Sequence, residues 1–495
     1  MTEPADRASL VKTLDLDPRV SRLKRALAEA GVGEAWLVGG FVRDAAVHVE
    51  KEKIDLDLAI PVVTGELACD LARRINGSGF PLDEDSGALR ITLDDGSTVD
   101  LVPFRGETIE NDLAGRDFTI NAIAYDLVGG RGVIDPLGGL YALDRKFLAL
   151  CSDESLQNDP LRTLRAYRFA ATLGMRFGPG LTAAIKAAAS GLGGVAAERM
   201  RYELFRLLDG PFAGVTLRRA SGDGMLDSLF PSVRRWRGFD QGSYHEHDLM
   251  EHCLLTVEHL ERVLDSRRLE PYGDKLLDHL ALRHEADVTR LSLLKFAALF
   301  HDVAKPETLV VENGGRRRFI GHDAMGAKMV AALLVRLKCG RKTARAGARI
   351  VAAHMRLFGL AAQENPTRRS RLRYLRDIGD ETPETALLSI SDELATGAGD
   401  GGDGERFFDT AREILGLFFD REGPVEPLVR GRDLMEHFGA EEGPAIGLAL
   451  AAVADAESRG EVSSREEALA FAGSFIEKFR TVSPAESREA EKSQL

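Results

Sequence analysis

Three things are scarce in this chain, and each scarcity excludes something. Cysteine is the first: four in 495 residues (Cys69, Cys151, Cys253, Cys339), far apart and without a C-x-x-C pair. That excludes a disulfide-stapled scaffold and a thiolate zinc site, and it fits reduced thiols in the cytoplasm. Long apolar runs are the second. None approaches the ~20 residues that a membrane span needs, and the opening MTEPADRASL has no apolar signal core. The expectation is a cytoplasmic protein with no membrane partner. Positive charge is the third: 65 Lys and Arg stand against 78 Asp and Glu, a net charge of −13. General attraction to nucleic acid is excluded, so any such partner needs a local basic surface. With 44% hydrophobic and 29% charged residues the chain is globular, and its length calls for several domains.

The most informative stretch is residues 36–58, WLVGGFVRDAAVHVEKEKIDLDL. It reads as strand, turn, helix, strand. Gly39 and Gly40 break the apolar run and let backbone N–H groups approach a ligand. A helix from Phe41 to about Val49 follows, with Arg43 and Asp44 near its start. Such an N-terminus suits a phosphate. In Ile54-Asp55-Leu56-Asp57-Leu58, alternation puts Asp55 and Asp57 on one strand face. Adjacent carboxylates repel each other unless a cation lies between them, and oxygen ligands suit Mg²⁺. An anion cradle beside a two-carboxylate site points to phosphoryl or nucleotidyl transfer. Either half alone is more often an ordinary βαβ unit; the joint spacing favours chemistry.

On this Gly-Gly, Arg-Asp, Asp-x-Asp pattern the chain resembles the polymerase-beta-like nucleotidyltransferases. More narrowly, it is similar to the bacterial tRNA nucleotidyltransferase / poly(A) polymerase family of the CCA-adding type. The resemblance implies an α+β fold: a small nucleotidyltransferase head, then an all-helical neck, an HD helical domain and a C-terminal helical region. It also implies that Asp100, in the alternating strand Val99-Asp100-Leu101-Val102, completes a catalytic set with Asp55 and Asp57. In GRDFTINA, Arg116, Asp117, Thr119 and Asn121 fall on the family's sugar and phosphate contacts, with Gly115 where a second arginine often stands.

Residues 158–176, NDPLRTLRAYRFAATLGMR, open the helical region. Pro160 suits a first helical turn and Asp159 an N-terminal position. Arg162, Arg165 and Arg168 recur every three residues, which by itself describes a solvated basic stripe, while the resemblance makes all three candidates for nucleotide binding. The resemblance adds a role, because Asp159 and Arg162 match the Asp and Arg of a Glu-Asp-x-x-Arg motif that reads the incoming base. A carboxylate accepts from the amine of C or A and a guanidinium donates to the ring acceptor beside it; G and U present a carbonyl there. Asn158 replaces the leading Glu. Basic residues outnumber acidic ones from Asp159 to Arg206, which supplies the local surface for an RNA end.

Eight of the eleven histidines lie between 245 and 322. A lone histidine on an apolar helix is usually a core residue. The order His252, His301-Asp302, His322, His354, Asp392 is more specific and resembles the HD phosphohydrolase domain. It implies a divalent transition metal or Mg²⁺ at these six positions, with hydrolysis of phosphate esters as its chemistry. His245, His247, His259, His279 and His284 are left as surface or supporting residues.

The expected divisions are head 23–150, neck 151–240, HD domain 241–395, C-terminal tRNA-binding segment 405–480 and a disordered tail 481–495. Residues 1–22 read as loose and 396–404 as a flexible link. The segment 427–474 resembles the C-terminal part of CCA-adding enzymes, with Gly-Arg-Asp-Leu as a turn. The basic stretches within 341–376 suit either the tRNA body or solvated helix faces. The reading is template-independent addition of CMP and AMP from CTP and ATP to a tRNA 3′ end, with two Mg²⁺ at the head. Poly(A) polymerase, a CC-only or A-only enzyme, and an HD phosphohydrolase with an inactive head remain the alternatives. Nothing in the sequence assigns an oligomeric state.

Overall fold

The computed structural model describes residues 7–49, 53–83, 87–363, 366–397, 403–420, 428–441, 443–459, 461–462 and 464–481. The chain opens with two helices, α1 (Arg7–Leu16) and α2 (Pro18–Glu29). Residues 7–22 are therefore not loose. Leu10, Leu14 and Val20 are buried. Asp17 caps α2 by accepting from the Arg19 and Val20 amides, with Pro18 in the first turn. Lys24 donates to Asp15 at 2.7 Å, and the Tyr125 hydroxyl donates to the same carboxylate, which pins α1 and α2 to the head sheet.

That sheet has seven strands: β1 (Trp36–Val38), β2 (Asp55–Ile60), β3 (Gly77–Asp83), β4 (Ala88–Leu93), β5 (Thr98–Pro103), β6 (Ala124–Asp126) and β7 (Val133–Ile134). Their order is β3-β4-β5-β2-β1-β6-β7. Only β2 and β5 run parallel, and the register sets Asp57 against Asp100. On its other side β2 pairs antiparallel with β1, Val38 against Asp57. The chain thus leaves β1 at Gly39 beside Asp57 and enters α3 (Gly40–Ala46).

A helical neck follows. Its main helices are α4 (Leu161–Leu173) and α5 (Ala197–Leu208). The next bundle contains α6 (Leu249–Asp265), α7 (Arg290–Phe300), α8 (His322–Arg336), α9 (Arg341–Ala353) and α10 (Thr382–Ala395). In α7 every residue from Ser292 to Phe300 is buried. A helix without a polar face must sit at a bundle centre. It begins in a capping box between Thr289 and Ser292.

Helix α11 (Asp403–Phe419) packs on α10 and shares the large core. A separate small core joins Val429 to residues of α12 (Gly431–Phe438), α13 (Pro444–Arg459) and α14 (Arg465–Thr481). The expected C-terminal segment 405–480 is thus divided between two cores. Gly-Arg-Asp-Leu is the first turn of α12 rather than a loop, because Asp433 bonds back to the Arg430 amide. Most of the link 396–404 and residues 482–495 of the tail lie outside the described residues.

Among the contacts that fasten the neck to the bundle is a buried lysine. Lys295, 2% exposed, donates to the Gly210 carbonyl and to Glu261, both at 2.8 Å. Replacing Lys295 by Met removes the cation beside Glu261 and leaves the two acceptors only the Gly214 and Ala213 amides. The expected cost is about 3 kcal/mol of folding stability, read as a lowered urea midpoint at unchanged slope.

Candidate functional site

The head carboxylates sit where three strands meet. Asp55 and Asp57 project from the same face of β2. Thr98 donates to Asp55 at 2.7 Å. Asp57 is half-buried. Burial and the neighbouring Asp100 and Asp55 push its pKa up to about 6, against the pull of Arg116 and Arg90. A carboxylate in that position gains from a cation beside it, so the pair fits a hard divalent ion. Asp100 has both oxygens bonded to Arg90, each at 2.7 Å, and does not line the cleft in front of β2. A cation held by Asp100 shares its oxygens with that guanidinium.

Gly39 is required here for two reasons. Its φ of +78° is a conformation L side chains rarely adopt. A Cβ on it would stand 2.7 Å from the Asp57 Oδ2. Gly40 follows as the first residue of α3, and both glycines line the cleft.

A chain of charged groups runs from α3 to the neck. Arg43 donates to Asp44 and, at 2.7 Å, to the Asn121 side-chain oxygen. Asn121 donates to Asp117 at 2.9 Å. Asp117 also accepts from its neighbour's amide and, through its other oxygen, from Arg165 at 2.8 and 2.7 Å. Arg165 reaches Glu203 at 3.0 Å, and Arg168 approaches the same carboxylate at 2.5 Å. Burial disfavours the Asp117 charge, but Arg165 and the hydrogen bonds around it hold its carboxyl well below the usual range. Burial pulls the Arg168 guanidinium down to about 10, against Glu203. Arg168 is buried and Arg165 half-buried, yet both line the cleft, so the basic stripe is a brace along the cleft wall rather than a solvated face.

The remaining candidates divide. Arg116 is held by Asp112 at 2.9 and 2.8 Å and lines the cleft. Asp159 accepts from Arg199 at 2.8 Å and from the Leu161 amide at 3.2 Å. Arg162 donates to the carbonyls of Gly115 and Arg116 at 3.0 and 3.1 Å and to the Ser155 hydroxyl at 2.8 Å. Thr119 lies in a 3₁₀ turn that carries Asn121 to the cleft. Its own hydroxyl is buried without a hydrogen-bond partner and does not line the cleft. The cleft has a volume of about 810 Å³ and opens between α1, α3, β2, α4 and α5. Sequence reasoning missed Arg90, Arg105 and Tyr202. Arg90 was legible, because the hairpin through Asp94-Asp95-Gly96-Ser97 sets it opposite Asp100. Arg105 and Tyr202 reach the cleft only through tertiary packing.

The six histidine and aspartate positions converge in the bundle. His252, His301, Asp302 and Asp392 form one ligand group, and Asp302, His322 and His354 form another. Among the described residues these are the only such clusters; the head carboxylates form none. Asp302 belongs to both. Its Oδ2 lies 3.1 Å from the His301 Nε2, and its Oδ1 lies 3.3 Å from that of His322. The Nδ1 atoms of His301, His322 and His354 lie 2.8, 2.8 and 2.7 Å from the carbonyls of Ala298, Phe319 and Val351. That of His252 lies 3.3 Å from Ala395 O. Each ring is thereby oriented with its Nε2 lone pair toward the centre, as a metal ligand requires. Burial pulls His354 down to about 4, which keeps it neutral. Burial opposes a charge on His301, yet Asp302 and Asp392 push it up to about 10. A positive charge is what this centre favours, and the donor set fits a divalent metal. His245 stacks edge-on against His252 and contacts Lys305. His279 instead contacts the buried Glu384, away from the cluster.

The Poly A polymerase head domain matches residues 88–149, the probable RNA and SrmB-binding site of polymerase A matches 174–236, and the HD domain matches 249–397. The A-adding tRNA nucleotidyltransferase of Deinococcus radiodurans is 35% identical over 452 residues, covering 90% of this chain and 96% of that one. The chain belongs to the tRNA nucleotidyltransferase family. It is a nucleotidyltransferase by that membership. The CC-adding enzyme of Thermus thermophilus is 33% identical over 450 residues, covering 88% and 93%. In fold, the chain is similar to a CCA-adding enzyme in complex with CTP, with a TM-score of 0.60 at 21% identity over 94% and 97% of the two chains. No helix among the described residues is long and apolar enough to cross a membrane.

Two outcomes follow from this geometry. Gly39→Ala forces Asp57 aside, and nucleotidyl transfer is expected to fall about 100-fold while circular dichroism stays unchanged. His301→Ala with Asp302→Ala removes the shared ligand, so divalent metal carried through gel filtration, measured by plasma mass spectrometry, is expected to drop to background.

Proposed function

We propose that this enzyme adds CMP and AMP to the 3′ end of tRNA without a nucleic-acid template. The observation that carries the reading is the Asp55–Asp57 pair facing a cleft lined by arginines from head and neck. Gly39, Gly40, Arg43 and Arg116 suit a triphosphate. The Asp117–Asn121 pair is placed to support the sugar side while joining head to neck. Asp159 accepts the exocyclic amine of C or A once Arg199 releases it. Arg162 donates to the ring acceptor, exchanging its carbonyl partners for the base. The RNA 3′-oxygen attacks the α-phosphorus, the bond to the β-phosphate oxygen breaks and pyrophosphate leaves. Asp55 and Asp57 would hold Mg²⁺, two ions in this proposal, which would supply charge neutralisation to the reacting phosphate.

A second activity is favoured by the histidine cluster. Its two ligand groups share Asp302, which suits a metal-dependent hydrolysis of phosphate esters. That site and the head are separate, so loss of one chemistry leaves the other.

The test is incorporation on three tRNA transcripts, ending before CCA, after C and after CC, with CTP and ATP supplied separately. Stepwise C, C and one A, then a stop, is the expected result. AMP on the CC-ending transcript alone means an A-adding specialist, and CMP without AMP a CC-adding one. Long A tails on any RNA mean a poly(A) polymerase. No incorporation contradicts the proposal and leaves the histidine centre as the active site.

A further inference from the structure

The cleft is larger than one nucleotide needs, and its residues divide by wall. Those suited to the triphosphate and the incoming base lie on the head and on α4. The wall contributed by α5 is left over. Arg199, Tyr202 and Arg206 lie three and four residues apart on that helix, so they share one face, and all three line the cleft.

Tyr202 is unusual in this position. A large aromatic side chain on a helix is normally spent on the core, yet Tyr202 is 42% exposed. The neighbouring Phe205 is fully buried and stacks on Phe296 of α7, so α5 has its hydrophobic anchor elsewhere. The Arg206 guanidinium lies 5.3 Å from the Tyr202 ring centre, and its Nη1 donates to the phenolic oxygen at 2.5 Å. The ring is thus held upright by a cation and remains accessible. The Arg199 side chain is 56% exposed and makes one ion pair, to Asp159. Glu203 on the same helix is consumed by Arg165 and Arg168. The wall is consequently positive with one exposed aromatic. Single-stranded RNA is bound by that combination, the base stacking on the ring and the phosphates meeting guanidinium groups.

The opposite wall, from Thr13 to Arg19, does not offer the same chemistry. Its arginine is paired with Asp17 at 2.6 Å, and Leu16 is its most exposed member.

We infer that Tyr202 is the stacking platform for the terminal base of the RNA whose 3′-hydroxyl is extended, with Arg199 and Arg206 on its last phosphates. This deepens the reading of the cleft given above and rests on it. Tyr202 then sets affinity for the RNA end and not for the nucleoside triphosphate.

The test uses the full-length protein and a tRNA transcript ending after CC. Two quantities are read for wild type, Tyr202→Ala, Tyr202→Phe and Arg206→Gln: the KM values for RNA and for ATP or CTP, and equilibrium binding of the labelled RNA by anisotropy without nucleotide. Tyr202→Ala is expected to raise both the RNA KM and the RNA Kd about tenfold, with the nucleotide KM unchanged. Tyr202→Phe is expected to restore binding to near the wild-type value, which a hydroxyl-dependent role would not allow. Arg206→Gln is expected to flatten the salt dependence of RNA binding. An unchanged RNA Kd in a folded Tyr202→Ala protein overturns the inference. A rise confined to the nucleotide KM also overturns it and assigns the ring to the incoming base. If wild type binds RNA but extends nothing, the proposed reaction fails, and the anisotropy result still decides the role of Tyr202.

Discussion

The structure depends on a crowding of negative charge at the centre of the head sheet. Parallel pairing of β2 with β5 sets Asp57 beside Asp100, and strand alternation sets Asp55 next to both. Three neighbouring carboxylates, Asp100 buried and Asp57 half-buried, oppose folding unless positive charge meets them. The protein supplies part of it, through Arg90 on Asp100 and Arg116 in front of Asp57. In the proposed reaction a cation supplies the remainder. Gly39 follows from the same crowding, because any side chain there would collide with Asp57.

The second constraint is the join between head and neck. Asp117 spends one oxygen on Asn121 and the other on Arg165, and Arg165 passes the link on to Glu203. This brace runs from α3 in the head to α5 in the neck. It makes the two walls of the cleft a single electrostatic unit. In the bundle, Asp302 plays a comparable part by joining two groups of ligands, with each histidine oriented by a backbone carbonyl.

How much was legible in the sequence differs by feature. The carboxylate strand and the glycine turn were readable, because alternation and short spacing dictate them, whereas the histidine and aspartate set, spread from His252 to Asp392, was readable only through its resemblance to the HD domain. The Asp17-Pro18 cap of α2 was also present in the letters, yet a polar composition concealed it. The brace through Arg165 and Arg168 was not readable. A three-residue spacing places both on one helix face but does not say what that face meets, and Asp117 and Glu203 come from segments 48 and 38 residues away. Thr119 and Asn121 are two residues apart, and only the 3₁₀ turn decides that Asn121 lines the cleft while Thr119 does not. The partners of Asp159 and Arg162 are likewise tertiary, since Arg199 and the Gly115 carbonyl reach them across the cleft.

The account's central claim is that the Asp55–Asp57 pair carries the nucleotidyl transfer. The most direct measurement replaces both by asparagine, which keeps shape and removes charge, and follows CMP and AMP incorporation into tRNA beside wild type. The account predicts a folded protein, unchanged by circular dichroism, with no detectable incorporation and with its histidine-centre metal intact. Incorporation near the wild-type rate in the double variant would contradict it.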